Sequence, residues 1–389
     1  PSERRKGGIF PKRSGRNNFG RPFIIYASAL GLASYGKPIY YKSLMELFKL
    51  CDSGQYELDT RFFIHHEGRK AWFSDLIIEL LGEPRDQTTD SISVHHANIA
   101  SSAQKVLESI ALHLCCYLKD KTGTDTIYLT GGVALNGSMN GRIANSGLFK
   151  KIYIPPAPGD SGAAIGAALL STEKDIHNRN KIIPSEYLGP DAKFGQTTKV
   201  LDEHALAYEV LNDYVRKAAK DLSLGYIVGW FQGREEFGPR ALGNRSILAD
   251  PRSKYMSERV NRLVKERETY RPFGASILDE YRSEFFDLQH ESPYMHLVCN
   301  VKPRARNLIP AVTHIDGSCR PHTVTKKRNP LFHSLLNEFM ALTNIPALLN
   351  TSFNGKDEPI VSTPESAISL FISSDIDVLY INNIRITKI

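Results

Sequence analysis

Residues 126–137 read TIYLTGGVALNG. The first five are a short run of β-branched and aromatic residues, and the run stops on two glycines. Residues 151–170 repeat this plan as KIYIPPAPGDSGAAIGAALL, where a strand-like run ends in a Gly-rich turn that opens a small-residue helix. Strands that each finish in a Gly-rich loop and then enter a helix indicate an α/β domain with its ligand at the strand ends. Upstream, residues 98–119 carry apolar residues at helical spacing, with Val106, Ile110 and Leu114 on one stripe, which predicts a long buried helix.

Between about residues 174 and 196 this pattern gives way to a stretch holding Pro184 and Pro190, and the domain boundary is expected there, at 185/186. Beyond it, helix is expected over 202–225, strand over YIVGWF (226–231), helix over 254–268 and helix over 331–343. Strand PALLNTSF (346–353), a helix from Pro364 and strand VLYIN (378–382) follow. This mixture predicts an α+β second domain. At 389 residues, two domains are expected, each able to bury its own core.

The net charge of +7 is concentrated at one end. Residues 1–21 hold seven basic side chains against Glu3 alone, a balance of +6, so the remainder is close to neutral at +1. The basic segment is either an arm for a polyanion or a solvated disordered tail; the near-neutral body argues against nucleic acid as a partner. It lacks the apolar core of a secretory signal, and no apolar run reaches the roughly 20 residues of a membrane span. Five scattered cysteines without a CxxC pair argue against a disulfide framework and point to a reducing cytoplasm.

Several loops could carry chemistry. Gly131 and Gly132 would let a nucleotide approach the backbone, with Asn136 beside them, although a tight turn needs no ligand. Asp160, between two glycines, is either a helix cap or an oxygen ligand for a cation. FQGREEFGPRALGNRSILADPR (231–252) gathers Arg234, Arg240, Arg245 and Arg252 among apolar residues. Such arginines need either an external anion or internal partners such as Glu235, Glu236 and Asp250. Lys265, Arg267 and Arg271 follow in KERETYRPF, where 267 and 271 share a face if the helix extends that far. Arg320 lies in HIDGSCRPHTV, and Asn350, Thr351, Ser352 and Asn354 follow the strand of LLNTSFNGKDEP.

GLASYG, GGVALN, PAPGDSGAAIGAAL, GWFQGREEFGPRALGNRSILADPR, KERETYRPF, HIDGSCRP and PALLNTSFN occur in the order seen in O-carbamoyltransferases of the nodulation protein U and cephamycin or tobramycin carbamoyltransferase type. From about Gly31 onward the chain resembles that family. The resemblance implies an ASKHA-type, TsaD-like carbamoyl-transfer domain, partial here, over 22–185, and a YrdC-like domain over 186–389 that makes carbamoyl-adenylate from ATP and carbamoyl phosphate. Lys265, Arg267 and Arg271 match the catalytic cations. Arg240, Asn244, Arg245, Arg320, Asn350, Thr351, Ser352 and Asn354 would line the same pocket, and Gly131, Gly132 and Asn136 match a nucleotide loop.

The implied cofactors are ATP with Mg2+ and a divalent metal, iron among the options, held in part by Asp160. The implied acceptor is a small hydroxylated metabolite, and a homodimer is an option. The family's paired-histidine HxxxH motif does not occur in the sequence, and residues 1–30 depart from the family pattern. A fragment or truncated gene is therefore expected. The alternatives are a nucleotide-binding remnant that needs a partner chain, or an RNA-modifying enzyme of the threonylcarbamoyl type.

Overall fold

The computed structural model describes residues 31–64, 73–84, 92–171, 185–191, 194–204 and 206–388. The basic segment 1–21 and most of the expected linker lie outside them. The chain forms two compact units that divide between Thr124 and Asp125.

The first unit is built around α3, Val94–Thr122. Ser93 caps its start by accepting from the His96 N–H, and Gly123 in the left-handed conformation ends it. Val106 and Ile110 pack with Leu44 of α1 (Tyr41–Met45). Leu114 is exposed, so the buried stripe runs on through Ala111 and Cys115 instead. The hairpin β1 (Phe48–Leu50) with β2 (Tyr56–Leu58) and the helix α2 (Asp75–Leu81) complete the unit.

The second unit opens with the quoted strand. β3 (Thr126–Tyr128) pairs in parallel with β4 (Lys151–Tyr153), and α4 (Gly137–Ala144) and α5 (Ala163–Ser171) follow them in turn. The strand, Gly-rich loop and helix order is therefore present twice.

The rest forms a nine-stranded mixed sheet in the order β5-β13-β12-β6-β7-β11-β8-β10-β9. Its strands are β5 (Tyr208–Val210), β6 (Val228–Phe231), β7 (Arg245–Ala249), β8 (Gly274–Leu278), β9 (Cys299–Asn300), β10 (Ser318–Val324), β11 (Ala347–Ser352), β12 (Val378–Ile381) and β13 (Ile384–Thr387). β12 with β6 and β10 with β8 run parallel, and the other neighbours run antiparallel. Helices α6 (Phe194–Glu203), α7 (Tyr214–Ser223), α8 (Lys254–Leu263), α9 (Pro330–Thr343) and α10 (Pro364–Ser373) accompany it. β6, β7, β8 and β12 are buried along their whole length; β6 and β12 carry apolar and aromatic side chains throughout, whereas β7 also buries Arg245 and Ser246 and β8 buries Ser276.

Three local expectations change. The helix expected over 202–225 is helix α6, strand β5 and helix α7 in succession. The arginine-rich stretch is not one loop, because RSILA within it is β7, a central strand. Helix α8 stops at Leu263, so Lys265, Arg267 and Arg271 lie beyond its end. Composition placed the boundary at 185/186, whereas the compact second unit takes in the segment from Asp125. Ala134, Ala144 and Ile154 explain this, since they are buried in the same core cluster as the large sheet.

Candidate active site

The two strand-end loops of the second unit lie against each other. Gly131, at φ +91°, donates its N–H to the Pro158 carbonyl at 2.7 Å, and Gly132 backs onto Gly159. Asn136 is buried and caps α4, its Oδ1 accepting from the Met139 N–H at 2.9 Å. Asp160 begins a short 3-10 turn, is exposed, and the cap position before it carries no side-chain hydrogen bond. Among the described residues no group of three His, Cys, Asp or Glu side chains could hold a metal. The described residues therefore do not complete a metal centre around Asp160.

A residue that the sequence did not single out ties this segment to the sheet. Asn140 donates through Nδ2 to the carbonyls of Ala134 (2.7 Å) and His296 (2.8 Å). On the next residue, a β-carbon on Gly141 would stand 1.9 Å from the Val298 carbonyl oxygen. Helix α4 thus packs directly on the backbone that presents His296.

The opening arginine loop is held together by a buried carboxylate. Glu236 Oε1 accepts from the N–H groups of Leu242 (2.7 Å), Asn244 (2.7 Å) and Arg245 (3.2 Å). Burial pushes its carboxyl upward against the pull of those donors. Arg245 is fully buried with its guanidinium 3.5 Å over the Phe231 ring, and it donates to the carbonyls of Gln232, Asn244, Pro190 and Gly233. Asn244 donates to the Arg234 carbonyl and accepts from Asn329. Both were expected to line a phosphate pocket; their hydrogen bonds instead fasten the loop, because backbone carbonyls left by its glycine turns need donors.

Arg252 pairs with Asp250 at 2.6 Å and Arg234 donates to the carbonyls of Leu188 and Gly189. Of these four, Arg240 is the one whose charge acts on His296, adding to the lowering of its basicity that burial begins. Gly238 places this part of the loop against the PAPGDSG turn, since a β-carbon there would be 2.5 Å from the Pro156 carbonyl.

The second cationic set is brought together by a turn rather than a helix face. Asn261, fully buried in the last turn of α8, accepts from Arg267 Nε at 2.7 Å and donates to the carbonyls of Thr269 and Arg271. Glu266 takes φ +43°, in the left-handed region that residues with a side chain seldom occupy, and this reverses the chain between Lys265 and Arg267. Arg267 lies 4.8 Å from the Phe273 ring centroid, and Arg271 pairs with Glu268 at 2.8 Å.

Lys265 is buried and pinned to the NTSFN turn. Its Nζ donates to the carbonyls of Ser352 and Asn354 (2.8 Å each) and to Asn354 Oδ1 (2.6 Å). Burial, followed by the charges of Arg267 and Arg271, pulls its pKa well down. Burial, then Arg271 and Arg320, disfavours the Arg267 cation in the same way.

Sheet register completes the arrangement. Arg320 on β10, Gly274 on β8 and Asn350 on β11 are direct partners, so Arg320 and Asn350 share one face. Ser352 joins that face, and its hydroxyl donates to Asn354 Oδ1 at 2.6 Å. Thr351, by alternation, belongs to the other face, which separates it from the group it was expected to join. Asn350 is fully buried and donates Nδ2 to the Ala241 carbonyl (3.1 Å) and Ser276 Oγ (2.9 Å), leaving Oδ1 with no hydrogen-bond partner among the described residues. The Arg320 side chain makes no hydrogen bond or ion pair among the described residues, and burial disfavours its charge.

Arg320, Arg267, Arg271 and Lys265 thus form a chain of mutually felt cations, with Glu268 and Glu358 as the carboxylates acting on them. Two residues missed in the sequence, Asn261 and His296, organise and border this chain. Asn261 could have been found as a polar residue beside Val260 on the buried side of α8. His296 lies in YMHLVCNV (294–301), an apolar run in which only Cys299–Asn300 is strand.

Residues 10–169 match the family model described as Carbamoyltransferase N-terminus, and residues 219–388 match Carbamoyltransferase C-terminus. The first match starts upstream of Gly31, the point from which the quoted motifs run. The chain is 39% identical to nodulation protein NolO of Bradyrhizobium diazoefficiens, over 92% of this chain and 65% of that protein. It is 38% identical to nodulation protein NolNO of Sinorhizobium fredii, over 92% of this chain and 52% of that one. It is also 35% identical to 3'-hydroxymethylcephem-O-carbamoyltransferase of Amycolatopsis lactamdurans, over 61% of this chain and 44% of the enzyme. The chain spans less than two thirds of the length of these relatives. With both halves matched in order, and with the cationic motifs falling inside the second match, the chain belongs to the carbamoyltransferase family.

Proposed function

We propose that this chain carries the activating centre of an ATP-dependent O-carbamoyltransferase. Carbamoyl phosphate and ATP, the latter with its Mg2+, bind at the cations around Arg320, and the product is carbamoyl-adenylate. Atom balance requires one water: carbamoyl phosphate yields carbamate and phosphate, then a carbamate oxygen attacks the α-phosphorus of ATP and pyrophosphate leaves. Arg240, Arg267, Arg271 and Arg320 supply the guanidinium groups for the oxyanions, while Lys265 holds the Ser352–Asn354 turn and adds its charge. Preorganised cations in a water-poor site stabilise the charge that grows on leaving phosphates.

The observation that carries this reading is Arg320, a half-buried guanidinium with no anion partner among the described residues, set among further cations. Buried charges are retained when something pairs with them, and here the missing partner is an anion. The nine-stranded part corresponds in this reading to a YrdC-like domain. The segment holding β3, β4 and Asp160 corresponds to a partial TsaD-like domain, which passes the carbamoyl group to a hydroxyl of a small metabolite. The relative named as a hydroxymethylcephem O-carbamoyltransferase supports an alcohol acceptor.

The test is to incubate the purified chain with ATP and freshly dissolved carbamoyl phosphate, without acceptor, and to measure pyrophosphate and carbamoyl-adenylate. Both are expected to appear only when both substrates are present. Pyrophosphate release that ignores carbamoyl phosphate, or none at all, overturns the reading.

A further inference from the structure

His296 is 3% exposed, and neither ring nitrogen has a hydrogen-bond partner among the described residues. Buried polar groups nearly always find partners, so an imidazole with two idle nitrogens needs an explanation. It is not a loosely placed side chain. Asn140 holds its carbonyl, Gly141 lets α4 close on Val298, and Met295 immediately before it takes φ +56°. A bulky residue in the left-handed region persists only where its surroundings enforce it, and such strain gathers at ligand sites. The Met295 thioether lies over Gly274, where a β-carbon would be 3.1 Å from its sulfur, so the segment leans on the strand between Arg320 and Asn350.

The chemistry of the neighbours narrows what the ring can do. Burial, and then the charges of Arg240 and Arg320, keep it neutral, its pKa held down to about 3. Guanidinium groups only donate hydrogen bonds, whereas a neutral imidazole offers one acceptor and one donor. A ligand made only of phosphate oxygens would give that acceptor nothing to take. A carbamoyl group, in contrast, carries two N–H donors beside its carbonyl. Asn350 Oδ1 is a second idle acceptor on the face that holds Arg320. Its orientation is fixed, because Nδ2 is the end facing the Ala241 carbonyl.

We propose that His296 is a specificity residue that accepts a hydrogen bond from the carbamoyl N–H, so that the site selects carbamoyl phosphate over acyl phosphates that lack this donor. The proposal rests on the carbamoyl phosphate reading above and adds to it the group that recognises the nitrogen. No bond is made or broken at the imidazole.

Acetyl phosphate is the probe, being of nearly the same shape and charge with a methyl in place of the amide nitrogen. Isothermal titration of the full chain with carbamoyl phosphate, acetyl phosphate and inorganic phosphate is expected to show carbamoyl phosphate preferred over acetyl phosphate by about tenfold or more. In His296→Phe the affinity for carbamoyl phosphate should fall about tenfold, with acetyl phosphate and phosphate within about twofold of the parent, which also reports an intact site. His296→Gln, which keeps an acceptor and a donor, should retain part of the preference. Equal binding of the two acyl phosphates by the parent overturns the proposal without any variant and leaves the carbamoyl phosphate reading standing. A uniform loss for all three ligands in His296→Phe reduces the ring to a structural part. A parent that binds none of the three removes the carbamoyl phosphate reading and this proposal together.

Discussion

Replacing Arg320 by Met separates a residue kept for the fold from one kept for a ligand. The Arg320 side chain makes no hydrogen bond or ion pair among the described residues, burial disfavours its charge, and its own charge disfavours that of Arg267. A side chain of similar length without charge removes the desolvation and the repulsion while still filling the space. Replacing an unrewarded buried ion by an apolar side chain of similar volume is often stabilising by roughly 1–4 kcal/mol. Because Arg320 retains some exposure, the lower end is expected, about 1–2 kcal/mol. In a unit of this size that raises Tm by roughly 3–6 °C.

The parent should gain about 2.7 kcal/mol on addition of carbamoyl phosphate at one hundred times its Kd, whereas Arg320→Met should gain little. Thermal unfolding followed with and without ligand measures both effects. Loss of about 3 kcal/mol or more in the ligand-free variant would mean that the guanidinium already pairs with an anion inside the protein, and the inference from its isolation would fail.

Two further outcomes follow from the packing and the buried rings. Gly141→Ala sets a β-carbon 1.9 Å from the Val298 carbonyl oxygen, where the obstacle is backbone and cannot rotate away. A loss of about 2 kcal/mol or more is expected in urea unfolding, together with weaker phosphate binding as the His296 segment shifts. His296 and His322 are both held near a pKa of about 3, by burial in each case and then by arginine charges, against an ordinary 6.5. The unfolded chain binds these protons below 6.5 and the folded one does not, so their stability is present above pH 6.5 and is lost as pH falls toward 3. Each should contribute a slope of about 1.4 kcal/mol per pH unit within that window. Replacing both by Gln should flatten the urea midpoint measured between pH 7 and 4.

What the sequence disclosed was local. The two Gly-rich turns after TIYLT and KIYIPP are readable because glycine and small residues have few other reasons to gather where a β-branched run stops. Lys265, Arg267 and Arg271 were recognised as a set, yet for a geometric reason that does not hold. The helix ends at Leu263, and Glu266 at φ +43° with the Asn261 side chain produces the clustering. No propensity announces a glutamate in the left-handed region, because the surrounding contacts impose it. Arg245 and Asn244 looked like ligand residues, since a single sequence cannot show that their acceptors would be carbonyls of their own loop. His296 was hidden for the opposite reason: its importance lies in partners it does not have, and these become visible only once every neighbour is placed.

The join between α4 and the Val298 backbone has a practical outcome for anyone dividing this gene. A cut at the compositional boundary, 185/186, would separate Gly141 and Asn140 from the strip they rest on, and Ala134, Ala144 and Ile154 from the core they help to fill. Each half would then carry an apolar scar and unsatisfied amides. Poor yield from such halves would report where the scissors fell, and would say nothing about whether either half once had a trade of its own.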